Sequence, residues 1–102
     1  MIDKKAIINF CKEHSESQFY SPRTKLDYHL WPFEQLEKLN SENKVEEFVP
    51  GFIGFGSDGG NEMLAVNTKN GKIYMIPFIP MEEKGAVEIA NDIDEFASFK
   101  TK

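Results

Sequence analysis

Gly51-Phe52-Ile53-Gly54-Phe55-Gly56-Ser57-Asp58-Gly59-Gly60-Asn61-Glu62 decides how this chain is read, because it gathers five of the seven glycines into twelve residues. It contains a literal G-x-G-x-x-G string, Gly54 to Gly59. A phosphate cradle of that kind needs its glycine turn to open a helix, so that the helix N-terminus faces the pyrophosphate. Here the next segment, Glu62-Met63-Leu64-Ala65-Val66-Asn67, alternates and predicts a strand. No long helical stretch follows, and no second βαβ unit fits in what remains. The glycines therefore predict a tight connection between two strands, in which Gly59 and Gly60 supply φ > 0.

Downstream, Lys69-Asn70-Gly71-Lys72 carries Asn-Gly, a strong hairpin signal. Ile73 to Ile79 predicts an apolar strand, and Pro77 places it at a sheet edge or a bulge. Ala86 to Ala90 fits either helix or strand, and Asn91 or Asp92 caps a last helix over Ile93 to Phe99. Upstream, Lys25 to Trp31 alternates as a strand ended by Pro32, with Leu26, Tyr28 and Leu30 on one face and Asp27, His29 and Trp31 on the other. Pro32 to Leu39 predicts a short helix, with proline in its first turn. Asp3 caps a first helix whose face is Ala6, Ile7, Phe10, Cys11 and His14. Ser15 to Ser21 is a polar break. The class is α+β: one domain over 1–102, a twisted, mainly antiparallel sheet of about four or five strands flanked by N-terminal and C-terminal helices.

With 40% hydrophobic and 13% aromatic residues among 102, the chain has enough apolar material for a real core, which excludes intrinsic disorder. The single cysteine, Cys11, forms no intrachain disulfide. No apolar run reaches membrane-spanning length, and Met1-Ile2-Asp3-Lys4-Lys5 does not open a signal peptide, so a cytoplasmic location is expected. The net charge of −5 is concentrated: Glu82, Glu83, Glu88, Asp92, Asp94 and Glu95 face only Lys84 within 82–95. Such a surface repels nucleic acid and membranes and suits a basic partner, or else serves as a solvated face that maintains solubility.

Several quoted segments together resemble a known family. They are Leu30-Trp31 before a short helix, Pro50 to Glu62 with its Ser57-Asp58-Gly59-Gly60 turn, Ala65-Val66-Asn67, Ile76-Pro77-Phe78, and the closing Ile93-Asp94-Glu95-Phe96. They resemble the SUKH superfamily, named for fungal cell-wall-synthesis regulators and containing many bacterial members. Gly54, Ser57, Asp58, Gly59 and Gly60 fit the family's central turn. Leu64 and Ala65 stand where an aromatic is common, and Asn67 where Asp is more usual. The match covers roughly 25–99, and residues 1–24 are a shortened N-terminal helical part. The resemblance implies a non-catalytic binding protein without a cofactor. Bacterial relatives act as immunity proteins that neutralise polymorphic or contact-dependent toxins, many of them nucleases. Fungal relatives act as interaction and scaffolding proteins.

The residues themselves give enzyme readings little support. His14 and His29 lie on different predicted elements without ligand-spaced partners, so no metal site is expected. Cys11 reads as core. Asp58 and Glu62 form either a carboxylate pair for acid–base work or cation binding, or a turn acceptor beside a solvated acid. Trp31 is either a half-exposed binding anchor or a core residue. The candidate partner-binding set is therefore Asp58, Glu62, Glu82, Glu83, Glu88 and Trp31. The expected partner is a protein, a basic toxin domain for the immunity reading or a cellular protein for the scaffolding one.

Overall fold

A computed structural model describing residues 2–102 places the glycine-rich stretch at the centre of a six-stranded antiparallel meander. A first helix, α1 (Lys4–Glu13), leads into β1 (Gln18–Ser21) and β2 (Leu26–Leu30). A 3-10 turn (Phe33–Gln35) and helices α2 (Leu36–Glu42) and α3 (Val45–Phe48) follow. Then come β3 (Phe52–Ser57), β4 (Glu62–Asn67) and β5 (Ile73–Pro77), a 3-10 turn (Glu83–Gly85), β6 (Val87–Ala90) and α4 (Ile93–Ala97). Sheet order follows chain order, and every neighbouring pair is antiparallel.

The G-x-G-x-x-G string runs down β3 into a hairpin, and the segment after it is a strand. No helix N-terminus stands at the glycines, so the phosphate-cradle geometry is absent.

The sheet has more strands than the four or five expected. One addition is β1, which lies in the stretch read as a polar break. It buries only Phe19 and Ser21, and tertiary pairing makes it a strand. It pairs with β2 on one side, while on the other Gln18 N–H donates to Lys102 C=O (3.1 Å) and Tyr20 N–H to Phe99 C=O (3.0 Å). The other addition is β6, which settles the ambiguity of Ala86 to Ala90. Its presence also corrects the edge placement of β5, which lies between β4 and β6. Pro77 is tolerated because it is the last residue of β5. Phe78 N–H donates to Asn61 C=O (2.8 Å), so the proline nitrogen faces the other way. There the β5–β6 ladder has already stopped, at Met75 opposite Val87.

Caps form where the sequence puts them. Asp3 accepts from Ala6 N–H at 2.9 Å, and Asp92 accepts from Glu95 N–H at 2.8 Å while Glu95 reaches back to Asn91 N–H at 2.6 Å. Helix α1 lays Ile7, Phe10 and Cys11 into the core. Phe96 of α4 is fully buried and stacks on Phe19, with ring centroids 4.6 Å apart, while Phe10 and Phe55 meet it at 6.2 and 5.9 Å. Four aromatics thus tie both terminal helices to the sheet. In β4, Met63, Leu64, Ala65 and Val66 are all buried, so both faces of the sheet are covered at its centre.

The central strand β3 needs a substitute neighbour. Pairing with β2 ends where Trp31 N–H donates to Phe55 C=O (2.9 Å). Beyond that point the side chain of Asn40, from α2, continues the ladder. Its Oδ1 accepts from Gly54 N–H at 2.8 Å and its Nδ2 donates to Gly54 C=O at 2.8 Å. A primary amide carries the same donor and acceptor pair as a backbone peptide, so it satisfies the orphaned groups of β3. Asn40→Asp replaces the donor with a second acceptor facing the Gly54 carbonyl. This variant should lose about 1–3 kcal/mol of stability in urea unfolding, the cost of an unsatisfied polar group, with its strand content intact when folded.

Candidate partner-binding surface

The Ser57 to Gly60 turn closes β3 onto β4 with side-chain acceptors. Ser57 Oγ accepts from Gly59 N–H at 2.9 Å. Asp58 Oδ1 accepts from Gly60 N–H at 2.8 Å and from Glu62 N–H at 3.2 Å. Gly59 takes φ +89°, which a residue with a Cβ adopts only with strain. Gly60 does not share that conformation, contrary to expectation, because the positive angle is needed once in this turn. The Ser57 hydroxyl and one Asp58 oxygen are therefore committed to backbone donors, as in an Asx turn.

Glu62 begins β4 beside this turn. Burial first, and then the Asp58 charge, hold its carboxyl above the usual carboxylate range. Its Oε1 is enclosed without a hydrogen-bond partner. Nearby, the Tyr28 hydroxyl meets Thr24 Oγ1 at 3.0 Å and Met75 Sδ at 2.9 Å. Burial pushes its phenol up, and the Asp58 and Glu62 charges add to that.

Part of the acidic segment arrives at the same end of the sheet. Glu62 lies opposite Pro77 in the β4–β5 ladder, and the Pro77 ring lies 3.5 Å from where a Cβ on Gly85 would stand. Glu83, exposed, and Glu82, half-buried, sit on the 3-10 turn that carries Gly85 and just before it. Glu82 pairs with Lys84 at 3.4 Å. Glu88 lies on β6, half-buried, with Lys72 Nζ at 3.2 Å from its carboxylate and Arg23 donating to its carbonyl at 2.9 Å. Asp92 and Glu95 are occupied in capping α4. The turn acids, Glu82 and Glu83 thus share one end of the sheet, with Glu83 free of ion pairs among the described residues, while Glu88, opposite Tyr74 and paired with Lys72 of the β4–β5 loop, lies toward the other end.

Trp31 does not join them. It is 8% exposed and packs in the core, stacked on Phe78 with centroids 6.4 Å apart. Gly54 makes the space: a Cβ there would stand 3.0 Å from the indole. Trp31 lies just past the end of β2, so strand alternation no longer sets its face, and the half-exposed anchor gives way to a core residue. Cys11 is enclosed as expected, and burial pushes its thiol up to about 12, so little thiolate forms at neutral pH. His14 caps α1 with its ring 4.4 Å from Phe10, while His29 is on β2.

Sequence reasoning missed two groups, Arg23 and Lys72, which reach Glu88 from the β1–β2 turn and the β4–β5 loop; residue spacing alone gives no sign of those contacts. Elsewhere, near the start of β3, a cleft of about 460 Å³ is lined by Lys4, Ile7, Leu36, Glu37, Asn40 and Phe52 among others. No described helix is long and apolar enough to cross a membrane.

The raised Glu62 gives a signed prediction. A carboxyl whose folded value lies above its unfolded value contributes stability at low pH and loses it as pH rises through the folded value. Glu62→Gln should therefore melt higher than wild type at pH 7. The gain should disappear on acidification below the ordinary value of 4.5, where Glu62 is protonated in both states. Thermal melts across that range provide the check.

A comparison with curated proteins gave no match. Against protein families, residues 5–98 match the SMI1 / KNR4 family (SUKH-1), a span that takes in α1 and nearly the whole sheet-and-helix unit. With that match covering nearly all of a 102-residue chain, and the six-stranded α+β fold carrying the Ser57-Asp58-Gly59-Gly60 turn, this protein belongs to the SMI1 / KNR4 (SUKH-1) family.

Proposed function

We propose that this chain is a non-catalytic immunity-type protein that binds and neutralises a cognate bacterial toxin, a nuclease being the fitting class. The observation that carries this reading is the convergence of Asp58, Glu62, Glu82 and Glu83 on one end of the sheet in a SUKH-family fold. Enzymes that act on nucleic acid bind phosphates through basic surfaces. An acidic protein surface complements such a site, speeds the encounter and excludes wrong partners. Inhibition by occlusion needs no reacting group. The engagement of Ser57 and Asp58 with their own turn supports a structural role for them. A second reading is a regulatory interaction module of the SMI1/KNR4 kind, favoured by the name of the matched family.

The test begins with tagged protein retained on beads in lysate of its native cell at low and high salt. One stoichiometric basic protein, released by salt, is then expressed in a host with and without this chain. The immunity reading expects growth arrest by that protein and rescue by this one. Retention of a regulatory protein that causes no arrest would favour the scaffold reading. The double variant Glu82→Lys, Glu83→Lys leaves the Glu88–Lys72 pair in place. It should fold normally and slow association with the toxin about tenfold or more at low salt. An unchanged association rate would remove these acids from the interface.

A further inference from the structure

We propose that Ile79, at the tip of the β5–β6 connection, is an apolar anchor that inserts into a pocket of a partner protein whose rim carries Lys and Arg. The inference rests on the partner-binding reading above, and it names the side chain that holds the partner and the kind of surface that receives it.

Ile79 is the most exposed large hydrophobic residue among those described, at 90%. The chain on either side of it is fixed. Phe78 is half-buried, its ring stacks on Trp31 with centroids 6.4 Å apart, and its N–H donates to Asn61 C=O at 2.8 Å. Met81 is 7% exposed and lies in the core. Only Ile79 and Pro80 span the gap between these two attachments, and both are exposed. The connection therefore holds the isoleucine outward, and turning it inward would displace Phe78 or Met81 from packed positions. An apolar side chain held in water gains free energy when a partner covers it. Little freedom is lost in that step, because the flanks of the connection are already ordered.

The surroundings of Ile79 select the partner. Through Phe78 it stands beside Asn61, which joins Gly60 of the Asp58 turn to Glu62. Met81 leads directly into Glu82 and Glu83, and Lys84 pairs only with Glu82, at 3.4 Å. An apolar contact at the centre with charged groups around it is the arrangement of an interface hot spot and its rim. An acidic rim matches a basic one. A second copy placed Ile79 to Ile79 would bring Asp58, Glu82 and Glu83 of both copies together. An anionic lipid surface would meet the same acids, so like charge disfavours both.

The probe is a phage-displayed library of disulfide-closed cyclic peptides, selected on the full chain. Enriched peptides should carry Lys and Arg around a cluster of apolar residues. For a synthetic copy of the most enriched one, Ile79→Ser should raise the dissociation rate tenfold or more with the association rate nearly unchanged. The double variant Glu82→Lys, Glu83→Lys should instead lower the association rate. Ile79→Ser should melt near wild type, because the side chain it replaces lies outside the core. The inference is overturned if no peptide is enriched, or if the enriched peptides bind Ile79→Ser as tightly as wild type. It is also overturned if sedimentation shows a concentration-dependent dimer that Ile79→Ser removes, which assigns the tip to a second copy. Binding to phosphatidylglycerol vesicles that Ile79→Ser abolishes would overturn it in favour of a membrane. The immunity reading stands or falls separately. Peptides anchored at Ile79 without any growth rescue would leave the anchor standing and that reading fallen. Growth rescue by the wild type, with peptides indifferent to Ile79→Ser, would do the reverse.

Discussion

The paired hydrogen bonds between the Asn40 side chain and the backbone of Gly54 are the constraint on which the rest of the structure depends. Strand β3 is buried through most of its length, so each of its polar groups needs a partner. Strand β2 supplies partners only as far as Phe55. By taking over at Gly54, Asn40 fixes α2 against the sheet, and its third bond, to Leu36 C=O at 2.8 Å, holds the amide in that orientation. The glycine at this position admits the Trp31 indole against the strand. A single small residue therefore serves both the ladder and the packing, and it holds in place the strand that ends in the Ser57-Asp58-Gly59-Gly60 turn.

The two ends of β3 have different characters. At its start, side chains from α1 and α2 meet the strand, with Lys4 and Glu37 3.7 Å apart across the cleft. At its finish, oxygens outnumber their donors: Asp58 has its charge beside Glu62, and Glu62 has an enclosed oxygen without a partner. Concentrating like charge has a stability cost, which a fold designed only for stability would avoid. Glu82 and Glu83 extend that charge onto the 3-10 turn that faces Pro77. Under the proposed function, such a field would steer a basic protein toward this end of the sheet. The family membership and the placement of charge both support that proposal.

Much of this fold is legible in the sequence because local chemistry and tertiary structure agree. Asp3 and Asp92 cap helices where their positions predict, and the glycine turn joins two strands as the alternation after it requires. Asn67, standing where Asp is more usual, still provides an oxygen that accepts from Lys69 N–H at 2.8 Å, so the departure preserves the bond. What escapes the sequence is set by distant contacts. Strand β1 exists because the C-terminal residues pair with it from more than 80 positions away. Trp31 turns inward because Gly54 leaves room, and Asn40 reads as one more polar residue until β3 is found without a neighbour. In the candidate surface, the acids are visible as a charge run, but the pairing of Glu88 with Lys72 and the capping duties of Asp92 and Glu95 are not. Those duties narrow a six-acid segment to a smaller set that remains free for a partner.

The most direct measurement is a hydrogen-exchange footprint of the intact chain bound to its stoichiometric partner, compared with the free protein. The account predicts slowed exchange over Ser57–Glu62 and from Ile79 through Gly85, with the cleft lined by Lys4, Leu36 and Glu37 unchanged. Protection confined to that cleft and to helices α1 and α2, with the acidic end exchanging as in the free protein, would contradict it.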